Sequence, residues 1–136
     1  MEKEFIPYEQ ALALKELGFS EECFATIDQT EFIHIKKTKY PIRGSMTYNT
    51  IDVPLYQQAF RWFREKYGLE QTVNRIPPEV IGRGRIKKYN SFVWGENLNP
   101  RGYSEFYDTY EEAELECLKK LIEIVQESHK LNTDSN

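Results

Sequence analysis

Pro54-Leu-Tyr-Gln-Gln-Ala-Phe-Arg-Trp-Phe-Arg-Glu-Lys-Tyr67 carries rings at Tyr56, Phe60, Phe63 and Tyr67. That spacing repeats every three or four residues and puts the four rings on one face of a helix. Leu55, Ala59 and Trp62 lie on the adjoining strip, and Gln57, Gln58, Arg61, Arg64 and Glu65 lie opposite. Asp52 before the proline and Gly68 after the last turn bound the segment. A helix with so apolar a face must be covered, and the segments on either side of it say by what.

Upstream, Cys23 to Lys37 is rich in residues that favour a pleated surface, Phe24, Ile27, Phe32, Ile33 and Ile35, with Asp28-Gln29-Thr30 as a polar turn. The pattern predicts a hairpin of two strands. Pro7 to Leu17 predicts a short amphipathic helix, closed by Gly18, with Ala11, Leu14 and Leu17 inward. Residues 38–53 are punctuated by Pro41, Gly44 and Asn49, and Met46-Thr-Tyr48 is a candidate third strand.

Downstream, Leu69 to Val73 predicts a strand. Ile76 to Arg85, with two prolines and two glycines, predicts a loop. Ile86 to Trp94 alternates as a strand, with Lys88, Asn90, Phe92 and Trp94 on one side and Lys87, Tyr89, Ser91 and Val93 on the other. Gly95 to Gly102 is expected to be a connection, and Tyr103 to Tyr107 one more strand. Thr109 and Glu112 form a capping box: the hydroxyl accepts from the Glu112 amide and the carboxylate reaches back to the Thr109 amide. Ala113, Cys117, Leu118, Leu121, Ile122, Ile124 and Val125 then supply a buried stripe to about Glu127.

The expected fold class is α+β, a mostly antiparallel sheet with about three helices packed on one face, in the order α-β-β-(β)-α-β-β-β-α. It is expected as one domain over residues 1–128, with a flexible tail over 129–136. The long ring-bearing and Leu/Ile-bearing helices are expected to share that sheet as their cover.

At 136 residues one core is expected. No apolar run approaches the length of a membrane span and the charged start, Met1 to Phe5, lacks the apolar stretch of a signal peptide, so a cytoplasmic protein is expected. Cys23 and Cys117 each sit in an apolar pattern and are expected as reduced core thiols.

The net charge of −4 is unevenly spread: residues 75–101 carry six basic and two acidic side chains, residues 105–136 three and nine. A bulk basic field for duplex nucleic acid is absent.

No catalytic, metal or cofactor constellation can be assembled from local spacing. His34 lies in a β-rich run and His129 near the C-terminus, neither in a helical zinc pair nor beside a Cys cluster, and a surface or structural role is expected for His34. The carboxylates sit mostly at helix starts or on helix faces, so a hydrolytic acid pair is not readable from sequence.

The segment that invites a ligand is Gly82-Arg83-Gly84-Arg85 with Lys87 and Lys88, followed by Tyr89 and Trp94. Glycines admit an anion to backbone N–H groups, arginines can hold phosphate with paired hydrogen bonds, and rings can stack on bases. Arg83, Arg85, Lys87, Lys88, Tyr89 and Trp94 are therefore the candidate site for a nucleotide, another phosphorylated ligand or single-stranded nucleic acid. The segment lacks a Gly-Lys-Ser/Thr ending and precedes a strand, so a plain surface loop is the competing reading. Lys36, Lys37, Lys39 and Arg43 form a second basic group that could join it.

Phe5-Ile-Pro-Tyr-Glu-Gln-Ala-Leu-Ala-Leu-Lys-Glu-Leu-Gly-Phe19, Pro54 to Leu69, and Tyr107-Asp-Thr-Tyr-Glu-Glu-Ala-Glu-Leu-Glu-Cys-Leu-Lys-Lys-Leu-Ile-Glu-Ile-Val125 cover about half the chain. Together they resemble small uncharacterised proteins of phages, prophages and mobile elements of anaerobic gut bacteria. The resemblance implies a phage or prophage accessory protein without assigned chemistry. Combined with the missing catalytic set, it gives the leading expectation: a non-enzymatic protein that acts by binding a protein partner or by self-association.

The order helix, three strands, helix is also similar to a double-stranded RNA-binding domain. Glu111, Glu112 and Glu114 stand where that family's closing helix sets lysines against phosphates, so RNA binding by that mode is not expected.

Overall fold

The computed structural model describes residues 2–36, 50–77, 88–95, 98–102 and 106–134. The chain divides into two compact units, Met1–Gln58 and Ala59–Asn136. Among the described residues no helix is long and apolar enough to cross a membrane.

In the first unit a 3-10 turn, Glu2–Glu4, precedes helix α1, Tyr8–Glu16. Pro7 stands at the N-cap with extended backbone, one place earlier than the sequence pattern suggests, and its carbonyl accepts the Ala11 amide at 3.0 Å. Gly18 adopts φ 104°, a conformation glycine reaches without a Cβ clash, and so turns the chain out of the helix.

Strands β1, Ala25–Ile27, and β2, Ile33–Ile35, form the expected hairpin. The third strand is β3, Ile51–Val53, in the sheet order β2-β1-β3. The Met46–Tyr48 candidate lies outside the described residues. Ala25, Ile27 and Val53 turn inward and are buried with Phe5, Ile6, Ala11, Leu14, Leu17, Phe19 and Cys23, and α1 packs on β3. An isolated bridge from Phe5 to Leu55, with the Ile6 amide on the Pro54 carbonyl at 3.2 Å, ties the N-terminal residues to the chain beyond β3.

Helix α2, Tyr56–Tyr67, matches its periodicity. Tyr56, Ala59, Phe60, Trp62 and Phe63 are buried, while Gln57, Arg61, Arg64 and Glu65 are exposed.

The second unit adds β4, Leu69–Arg75, β5, Tyr89–Gly95, and β6, Leu98–Gly102, as a β4-β5-β6 meander. β6 occupies the stretch expected to be a connection. Asn99 and Pro100 read as turn residues, but among the described residues β6 pairs with β5 alone, and proline is tolerated on an edge strand or beside a register shift such as the one between Val93 and Gly95. Residues 103–105 of the strand expected there lie outside the described residues, and Tyr107 forms an isolated bridge to Tyr89.

Helix α3, Tyr110–Asp134, packs on β4 and β5 with Ala113, Cys117, Leu118, Leu121, Ile122 and Val125 buried. Its N-terminus is capped by Thr109 Oγ1, which accepts the Glu112 amide at 3.1 Å; the Glu112 carboxylate takes the amide of Asp108, one residue earlier than expected, at 3.3 Å. The helix also runs past Glu127, where fraying was expected. No proline or glycine interrupts it, and His129 holds the last turns through ring contact with Tyr67, 6.1 Å between centroids.

The α+β class holds, with antiparallel pairing throughout. The single sheet expected to cover both long helices is replaced by two three-stranded sheets. The physical reason is local connection: strands pair with neighbours close in sequence, β1 to β3 before α2 and β4 to β6 after it.

Candidate functional site

Of the expected phosphate site, Lys88, Tyr89 and Trp94 are among the described residues. Arg83, Arg85 and Lys87 lie outside the described residues. Lys88 is exposed; its amide donates to the Tyr107 carbonyl at 3.0 Å and its carbonyl accepts from Ile76 at 2.8 Å. Tyr89 is half-buried, with its hydroxyl accepting from Arg75 Nη1 at 3.2 Å, the guanidinium 5.8 Å from its ring centroid and the edge of Tyr110 at 6.1 Å.

Trp94 is also half-buried but pairs with Glu70 near the other end of β5. Strand side chains alternate, so Tyr89 and Trp94 point to opposite faces, about 17 Å apart along the strand. The two rings cannot clamp one ligand together. Of the second basic group, Lys36 is described, with Nζ on Asp52 Oδ1 at 2.9 Å; Lys37, Lys39 and Arg43 lie outside the described residues.

A different constellation stands on the first sheet. The inward turn of Ala25 and Ile27 forces Phe24, Thr26 and Asp28 outward, and register places His34 and Asp52 on either side of Thr26. Lys36 follows His34 on the same face, and Phe32 precedes it.

Asp28 organises the turn. Its Oδ1 accepts from the Thr30 amide at 2.8 Å, the Thr30 hydroxyl at 2.5 Å and the Phe32 amide at 3.1 Å, and its Oδ2 lies 3.3 Å from His34 Nε2. The Thr30 hydroxyl, opposed by burial and aided by the Phe32 and Thr30 amides and by His34, lowers the carboxyl to about 2.

Glu31 completes the turn at φ 68°, and both its carboxylate oxygens accept the Tyr8 amide, at 3.2 and 3.1 Å. Tyr8 opens α1 behind a proline that supplies no side-chain cap, so the hairpin turn caps the helix from across the sequence and places a negative charge at its positive end.

Two rings frame this polar centre. Phe24 is 69% exposed and Phe32 60% exposed, among the largest apolar exposures of the described residues. Phe24 pairs with Lys36 through the Lys36 amide, so the two rings stand at opposite ends of the face, about 13 Å apart along the strands. The Phe32 ring leans on His34, 4.7 Å between centroids.

The centre contains the His34–Asp28 contact and the Lys36–Asp52 ion pair. Among the described residues no group of three His, Cys, Asp or Glu could hold a metal ion. The face thus carries two exposed rings on either side of paired polar groups.

Sequence reasoning found no acid near His34. The signal was present in the spacing, since Asp28 and His34 sit close on either side of the turn that the hairpin reading itself places at 28–30, where the two strands converge. Compared with models of protein families, with curated proteins and with solved structures, the chain matches none.

Proposed function

We propose that the chain is a non-enzymatic accessory protein that binds a protein partner through the outer face of the β2-β1-β3 sheet. The observation that carries this reading is the exposure of Phe24 and Phe32 on a face whose polar groups are already paired. Leaving two large rings in water is unfavourable, and aromatic side chains are enriched among the anchors of protein association. The likeness to phage and prophage proteins supports an accessory role.

The reading is tested with a photo-reactive amino acid at position 24 or 32, which links the chain to whatever contacts the face in cells. The linked protein is then purified, and its affinity is measured by calorimetry for the unmodified chain and for Phe24→Ser/Phe32→Ser. Loss of binding with an unchanged circular dichroism spectrum is the expected result. Unchanged affinity in the double variant overturns the reading.

A further inference from the structure

We propose that the outer edge of β2 pairs with the same edge of a second copy of this chain, antiparallel about a two-fold axis at His34, to make one continuous six-stranded sheet. The inference concerns the sheet described above but does not depend on the outer-face reading.

The backbone settles which groups are available. The Lys36 amide donates to the Phe24 carbonyl at 2.9 Å and the Asp28 amide to the Phe32 carbonyl at 3.1 Å. Residues 32, 34 and 36 therefore direct their backbone groups at β1, and Ile33 and Ile35 direct theirs away from it. Among the described residues β2 has no neighbour on that side.

Identical strands become antiparallel neighbours through a two-fold axis normal to the sheet, which keeps each face on its own side. Centring the axis on His34 sets Ile33 against the second copy's Ile35, and Ile35 against its Ile33. Both residues then exchange N–H and C=O bonds, four in all, with the groups that point outward. Centring on Ile33 would require an extended Glu31, whose φ is 68°.

The side chains agree with this register. On the inner face Ile35, 47% exposed, covers the half-exposed Ile33 of the second copy, and the reverse. On the outer face Phe32 meets the aliphatic stem of Lys36 of the second copy, whose ammonium stays on its own Asp52. His34 meets His34 of the second copy on the axis, and each imidazole keeps its own Asp28 carboxylate at 3.3 Å. A three-residue strand makes a small interface, below about 1,200 Å², so the association is weak and concentration-dependent.

The test uses the purified full chain alone, so its failure is distinct from failure of the outer-face reading. Sedimentation velocity over a concentration series is expected to show a dimer growing with concentration, and Ile35→Pro, which removes an outward amide without touching the bonds to β1, is expected to abolish it. His34→Cys places a thiol on the axis, and it is expected to form an intermolecular disulfide faster than the exposed control Glu65→Cys; Cys23 and Cys117 are buried and do not compete. Should Ile35→Pro fail to fold, the comparison of the two cysteine variants decides. Cross-linking at 34 no faster than at 65, or a folded Ile35→Pro that still dimerises, overturns the proposal.

Discussion

Asp28 Oδ2 and His34 Nε2 meet at 3.3 Å across the β1–β2 turn, while the other oxygen of the same carboxylate holds the amides of Thr30 and Phe32. One ionised group thus fixes both the shape of the turn and the position of the histidine on the outer face.

A pH dependence follows from that arrangement. The Asp28 carboxyl is lowered from 3.8 to about 2 in the folded chain, so folding favours its ionised form. The stabilisation is present in full at and above about pH 5 and is lost as the pH falls toward 2. The protection of the Thr30 and Phe32 amides, their exchange rate measured against the intrinsic rate at the same pH, is expected to fall across that window. Asp28→Asn is expected to remove the acid-dependent part and to leave the hairpin less protected at neutral pH.

Gly95 is a second sensitive point. A Cβ there would meet the Gly68 carbonyl oxygen at 2.8 Å and Leu69 Cδ2 at 3.1 Å, and the first of these is backbone that cannot step aside. Gly95→Ala is expected to destabilise by about 1–3 kcal/mol in urea unfolding, the range of other overpacking substitutions. At Gly68, φ is 66° with open space around the site, so Gly68→Ala carries only the left-handed backbone cost of about 1–2 kcal/mol.

The α3 cap is testable by itself. Thr109→Ala removes the acceptor for the Glu112 amide and is expected to cost about 1 kcal/mol, with the loss of protection confined to the first turn.

Phe63 is fully buried on α2, edge-on to Trp62 at 5.0 Å. Phe63→Ala is expected to cost about 3–5 kcal/mol, against little for Arg61→Ala on the exposed face of the same helix. Equal losses in thermal unfolding would contradict the assignment of faces.

The helices were legible because each repeats its apolar residues over several turns and carries its own stops, as Gly18, Gly68 and Thr109 do. The first hairpin was legible for the same local reason. Strand partners were not, since nothing in Leu69 to Val73 or Ile51 to Val53 says which trio each joins. β6 was hidden by Asn99 and Pro100, whose turn preference is local and whose tolerance on an edge is not. The outer face of the first sheet was hidden more deeply: Phe24 and Phe32 look like core residues until the inward turn of Ala25 and Ile27 fixes their direction.

Each of the two compact units contains one cysteine, Cys23 in the first and Cys117 in the second, and both thiols are buried. Burial pushes Cys23 up to about 12 and Cys117 up to about 11, so neither reacts as a thiolate while its surroundings stay closed. Alkylation of each therefore times the opening of its own half of the chain, and a pair of rates from one sample tells whether the halves melt in concert or separately.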